Sequence, residues 1–369
     1  MKSVNEMVAE QALSHAVDLQ QYNNSVVRRL ITVLNRTNLR LFAELSRALE
    51  SIDPSSFTVE RLESMLYSVR AINREGYGKV AQELTEELRS FVEYESAYQR
   101  SALVSVLPVQ VSVAAISAET VYAAALARPF QGVLLRAVLD DMEAATAKKI
   151  RQTIAQGFVE SKTTAQIVRE LRGTQAKGYS DGLMEGSRRG VETIARTALG
   201  HMAGFTHDRF VEANADIIKA VVWSATLDLR TTEICRVRDG KSYTPVTHKP
   251  VGHSLPWLSG PSRSHWRCRS HQTAVLKSFK ELGIDVPEIE VEGRTRASLD
   301  GQVPAKLNYA DWLKKQSLAR QIQVLGPTRA KLMRDGNLPL EAMYSQKGLY
   351  KTLDQIRVSD AAAFTTAGL

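Results

Sequence analysis

Apolar residues recur at helical spacing through most of the first 215 positions, and at strand-like spacing mainly beyond them. Positions 4–50 predict one long helix. Leu30, Leu34, Leu41, Leu45 and Leu49 form its apolar stripe, with Arg28, Arg29, Arg36, Arg40 and Arg47 between them. Asp53, Pro54, Ser55 and Ser56 break it. Thr58 predicts the N-cap of a second helix reaching about Arg74, where Gly76 and Gly78 end or kink it. A third helical stretch, from Val80 to about Ser105, stops at Pro108. The three predict an antiparallel hairpin or bundle over 1–107.

Positions 108–215 predict a second helical segment. It starts with a short strand over 109–116, where Val109, Val111 and Val113 alternate with Gln110 and Ser112. Helices follow over 118–127, over 133–156 with Leu135, Leu139, Met142, Ile150 and Ile154 on one side, and from a Thr163 or Thr164 cap to Leu171. Four glycines in 172–186 predict a loop or hinge before a helix over 187–214. The pattern then changes. Ile217 to Ser224 is β-branched and apolar, which predicts a strand. Asp239 and Gly240 signal a tight turn between 236–238 and 241–243, hence a β-hairpin. The Pro/Gly-rich loop 245–264 is long enough to need pinning, and 273–282 predicts a helix. Positions 284–304 predict an extended linker. Helices resume at Tyr309, capped by Asn308, break at 325–328, and continue over 329–334 and 353–357. A small-residue tail from Ser359 is expected to be mobile. The fold class expected is α+β, mainly α. A long helical bundle (1–107) and a helical middle segment (108–215) precede a small Cys/His module (216–283) and a helical extension (284–369).

Composition narrows the class. Of the 369 residues 44% are hydrophobic and 7% aromatic, ordinary for a globular protein. No run of 18 residues is free of polar groups, so no transmembrane span is expected. The first residues lack the apolar core of a secretory signal. Two cysteines argue against a disulfide framework and for synthesis in a reducing cytoplasm.

Charge and chemistry concentrate in one stretch. The chain carries a net +8. Positions 226–280 hold ten Lys/Arg against three Asp/Glu. An anionic partner follows, with double-stranded DNA the first candidate. A non-specific contact would use Arg236, Arg238, Lys241, Arg263, Arg267 and Arg269. Positions 223–271 also hold both cysteines, four of the seven histidines and three of the four tryptophans. His265 and Cys268 have a spacing that lets two ligands from one turn reach one metal, and Cys235 can close from the opposite side. A zinc ion would need a fourth donor from His271, His253, His248 or Asp228. Two other arrangements stay open: buried free thiols with His265 on a loop carbonyl, or a disulfide.

Asp228 suits a turn that accepts backbone N–H groups, with Arg230 able to pair with it; a catalytic carboxylate is the alternative. Trp223 and Trp266 suit the core of a small module more than base stacking. No Asp or Glu occurs between Asp239 and Glu281. That gap argues against a magnesium-type nuclease site, although a metal-dependent nuclease or hydrolase using His265, His271 and Asp228 is the competing function. No phosphate-binding loop, nucleophile elbow or zinc-protease helix occurs.

In combination these residues resemble the phage head morphogenesis proteins of the Mu F-like minor head family. The resemblance is carried by Ile194, Ala195, Arg196 and Thr197; Trp223; Asp228, Leu229, Arg230, Thr231 and Thr232; Cys235; Asp239, Gly240 and Lys241; and His265 to Ser270. Tyr309 to Leu313, with Leu325, Gly326, Pro327 and Arg329, looks like an extension found in tailed-phage members. Two departures stand out. Position 270 is serine where members often carry a further cysteine, and 260–264 lacks their Pro-Pro. The resemblance implies a minor virion protein, non-enzymatic, at the portal vertex or head interior. Portal or major capsid protein would be its partner, DNA packaging or ejection its setting, and the host cytoplasm its place during assembly.

Overall fold

The structure, a computed structural model, describes residues 3–51, 58–107, 111–284 and 295–369. In chain order these form α1 (Val4–Glu50), α2 (Val59–Val106), α3 (Ala118–Leu126), α4 (Leu135–Val159), α5 (Thr164–Arg172) and α6 (Glu185–Ala213). There follow β1 (Ile218–Ser224), α7 (Glu233–Arg236), β2 (Ser242–Tyr243), β3 (Pro250–Val251), β4 (His271–Leu276), β5 (Thr295–Ser298) and β6 (Gly301–Pro304). The chain closes with α8 (Tyr309–Lys314), α9 (Leu318–Leu325), α10 (Pro327–Arg334), α11 (Leu353–Ser359) and α12 (Ala361–Ala367). The fold is mainly α with small antiparallel sheets, the class expected. Two compact units share it: 1–19, 92–121 and 203–369 in one, 20–91 and 122–202 in the other. Because α1 and α2 each contribute to both, the units are discontinuous in sequence.

The unit of 20–91 and 122–202 is helical. Its core includes Leu41, Leu45, Leu62, Leu66, Ile150, Ile154, Ile167 and Leu171. The expected break near Gly76 does not occur, and α2 runs without interruption. Gly76 instead lies where α1 comes close: a Cβ there would sit 2.6 Å from Thr37 Cγ2. Glycine at this position permits close helix packing and ends nothing. Polar bridges tie α2, α4 and α6, since Tyr77 Oη lies 2.9 Å from Thr146 Oγ1, which lies 3.0 Å from Ser187 Oγ. Thr163 caps α5 in a reciprocal capping box with Gln166. The expected helix breaker at 53–56 lies outside the described residues.

The other unit carries the sheet. Its strand order is β3-β2-β1-β4, all antiparallel. Val221 of the central β1 pairs with Tyr243 on one side and Ala274 on the other. The helix expected over 273–282 is therefore corrected: its first part is β4, whose β-branched Thr273 and Val275 pair with Val222 and Ala220. The strand expected over 109–116 is also corrected where it is described, and 108–110 lie outside the described residues. No ladder forms over 111–117. Side chains satisfy that backbone instead, with Asn214 receiving Ala114 N–H at 2.7 Å and donating to Ala114 O at 3.2 Å.

The Asp239–Gly240 turn forms, with Gly240 at φ +77° and Lys241 N–H donating to Arg238 O at 2.9 Å. The expected hairpin around it does not, because the residues before the turn belong to α7 and its C-terminal end. The hairpin of this region is β2–β3, closed by loop residues 244–249. Within the expected linker, 285–294 lie outside the described residues, and 295–304 form the β5–β6 hairpin. The expected mobile tail is helix α12, capped by Asp360 and anchored by Phe364, which is 3% exposed. Trp312, Leu332, Met343, Ile356 and Phe364 share one core with Leu227 and Val237 of the Cys/His module. Among the described residues no helix is long and apolar enough to cross a membrane.

Candidate functional site

The short helix α7 carries Cys235 on its buried side. The irregular segment that returns to β4 carries His265 and Cys268, in a turn closed by Cys268 N–H on His265 O at 3.3 Å. The three donor atoms lie within 4.8 Å of one another. Cys235 Sγ is 3.7 Å from Cys268 Sγ and 3.3 Å from His265 Nε2, and both thiols are free. His265 Nδ1 lies 3.0 Å from Trp266 O. A carbonyl only accepts, so Nδ1 carries the proton and Nε2 is left with its lone pair facing Cys235 and, at 2.8 Å, the Thr232 hydroxyl. The site thus joins three elements: Thr232 and Cys235 around α7, His265 in the turn, Cys268 before β4.

The two thiols are not equivalent. A hydrogen bond from Cys235, opposed by burial and aided by the backbone of Ser270 and Ser262, brings Cys268 down to about 7. Donating that hydrogen bond to Cys268, together with burial, pushes Cys235 up. Burial presses the His265 pKa down, but the contact with Cys235 and the Trp266 carbonyl outweigh it, and the net shift is upward.

His271, expected as a possible fourth donor, is not in this cluster. As the first residue of β4 it lines a separate, partly open pocket of about 90 Å³. That pocket also receives His15 and Glu95, joined at 2.7 Å, and His207. Burial takes His207 to about 4 and His271 to about 3. Among the described residues His207 Nδ1 has no hydrogen-bond partner. Sequence reasoning missed this pocket because it gathers residues from α1, α2, α6 and β4.

The expected basic face is largely turned inward. Arg238 is fully buried and donates to Ile234 O, Pro256 O and Gln346 O, each at 2.9 Å. Arg236 donates to Thr231 O at 2.6 Å and to Val324 O and Tyr350 Oη at 3.2 Å. Arg238 is out of reach of DNA in this fold and Arg236 is half-buried; both satisfy backbone carbonyls in loops and at helix ends. Arg263 pairs with Asp208 at 2.6 Å, Lys241 with Glu341 at 2.8 Å, and Arg269 with Asp228 at 2.5 Å. Of the six, only Arg267 is classed as exposed. The tryptophans divide as well. Trp223 is buried, with Trp257 edge-on at 5.5 Å, whereas Trp266 is 41% exposed and is not core.

Asp228 takes the turn role. Its Oδ1 accepts Arg230 N–H at 3.0 Å, Thr231 Oγ1–H at 3.1 Å and Arg269 Nη2–H at 2.9 Å, while Oδ2 accepts Arg269 Nη1–H. Its ion-pair partner is Arg269 and not Arg230. Asp239 accepts the backbone N–H of Ala225 and of Tyr309, both at 2.7 Å, and a two-armed contact from Arg296. Arg296 comes from the hairpin that replaced the expected linker, so no local signal pointed to it. The long loop is pinned by His253 Nε2 on Ser242 O at 2.9 Å, and by His248 stacked on Trp257 at 4.5 Å. No family model, curated protein or solved structure matches this chain.

Proposed function

We propose that the chain is a non-enzymatic minor head protein of a tailed phage. It serves head morphogenesis at or near the portal vertex, with portal or major capsid subunits as partners and DNA packaging or ejection as its setting. One observation supports this reading above the others. The two separated stretches that carry the family resemblance, around 228–270 and 309–329, spend their characteristic side chains on each other. Asp239 receives Tyr309 N–H, and Tyr309 Oη–H donates to Asp228 O at 2.9 Å. A carboxylate whose two oxygens already accept several donors is a poor base and a poor metal ligand until those bonds break. Asp228 is in that condition, which favours a scaffold over the competing nuclease. Contact with DNA, on this reading, rests on overall positive charge and is salt-dependent; Arg236 and Arg238 have no part in it.

The test is the particle. The chain is expected in low copy number in purified procapsids and virions, and its deletion is expected to give defective heads. Absence from both, with normal heads after deletion, overturns the reading. So does divalent-ion-dependent cleavage of DNA by the purified chain.

A further inference from the structure

We infer that Cys235, His265 and Cys268 form a zinc-class metal site with three protein donors and a fourth coordination position open to solvent. The inference does not depend on the head-protein reading. Zinc bonds of about 2.3 Å to sulfur and about 2.0–2.1 Å to nitrogen, at tetrahedral angles, put two sulfurs about 3.8 Å apart and sulfur and nitrogen about 3.5 Å apart. The observed separations are 3.7 Å between the thiols and 3.3 Å from Cys235 Sγ to His265 Nε2. The remaining edge stays within 4.8 Å. A disulfide would require the sulfurs to close to about 2.05 Å.

His265 is oriented as metal-bound histidines are. Its Nδ1–H is held by a backbone carbonyl and Nε2 faces Cys235 Sγ. Two sulfurs and an imidazole select zinc over magnesium or calcium, and two thiolates neutralise a dication among arginines.

The fourth position follows from what surrounds the donors. Among the described residues no further Cys, His, Asp or Glu joins the cluster. Cys235 and His265 line a cleft of about 230 Å³ together with Thr232, Arg230, Arg267 and Arg269, and no carboxylate lines it. Metal on Nε2 displaces the Thr232 hydroxyl, which is then free to meet a fourth ligand. That ligand is water or a small anion, attracted by the arginines.

Full-length protein, loaded with zinc and dialysed, tests the site by elemental analysis. One zinc per chain is expected, released in step with modification of the two thiols by a mercurial reagent. Cobalt substitution is expected to give thiolate charge-transfer bands and four-coordinate visible bands, and azide is expected to shift the visible bands. Cys268→Ser and His265→Gln are expected to lose the metal, with circular dichroism confirming that each variant folds. The mercurial release uses the wild-type chain and decides the question if they do not. A zinc-loaded chain that retains no metal overturns the site, as does an intact mass two hydrogens lighter, or metal retained after Cys235→Ser and Cys268→Ser together. Visible bands unmoved by azide overturn the open fourth position.

Discussion

His265 on one side, and His207 and His271 on the other, lie in the same unit and are each half-buried, yet their surroundings act on them in opposite directions. His265 has a partner for each nitrogen, and its affinity for a proton rises. His207 and His271 line a small pocket with apolar walls and are held neutral, with His207 Nδ1 unpartnered. Burial alone therefore says little about what a histidine does. The carbonyl or thiol placed beside it decides whether the ring is a fixed donor or a latent charge. The same contrast separates the arginines that hold loop carbonyls, Arg236 and Arg238, from Lys241, whose partner Glu341 is half exposed.

The partnered region should be the more sensitive to substitution. Asp239→Ala leaves Arg296 buried without its counter-charge and two backbone N–H groups without an acceptor. Loss of one partner of such a pair costs about 3–5 kcal/mol, read as a lowered denaturant midpoint. A midpoint close to wild type would break the comparison at its strongest point.

The desolvated histidines, His207 and His271, should show themselves through pH. Their folded pKa values lie below the unfolded value, so between pH 6.5 and about 4 the unfolded chain binds more protons than the folded one. Stability is retained above pH 6.5 and falls as the pH drops through that window, by about 1.4 kcal/mol per pH unit for each histidine at the steepest. Asp208, Glu95, Arg263, His15 and Arg296 act on the same groups, so the diagnostic is a difference. His207→Gln with His271→Gln should flatten the thermal midpoint between pH 6.5 and 5 relative to wild type. An unchanged slope would remove the latent charge.

A smaller effect is expected at Gly348. It sits at φ +83°, and a Cβ there would lie 2.7 Å from Arg238 Nη1 and 2.9 Å from Ile234 Cα. Gly348→Ala should cost about 1–3 kcal/mol through backbone strain and a displaced arginine. Lys241→Ala should be smallest, about 0–1 kcal/mol, because its ion pair is partly solvated; a larger loss would show that the surface pair belongs with the partnered core.

Much of this was legible before the fold was known, wherever the signal was local. The apolar period of α4, the capping box of α5, the Asn308 cap of α8 and the apolar run of β1 each fix an element within a few residues. So does the His-x-x-Cys spacing, which the fold brings to Cys235. The rest depended on partners far along the chain. β4 has its pairing partner, β1, about 50 residues earlier, and α2 keeps its path past Gly76 because Thr37 lies against it. Positive charge in sequence predicted outward-facing arginines at 236 and 238. It could not show that irregular loops would leave buried carbonyls in need of donors.

The Asn5 side chain closes the outer edge of β4. Its amide receives Leu276 N–H at 2.6 Å and donates to Leu276 O at 3.2 Å, as a neighbouring strand would. Residues separated by 271 positions complete that contact. Ordered by synthesis, the first turns of α1 leave the ribosome long before the strand they cap, and the unit of 20–91 and 122–202 is fully translated in between. β1 therefore lacks its partner on this side until β4 has been made. Folding of this unit is coupled to translation of β4, and a ribosome stalled before His271 leaves that edge of β1 open to another chain.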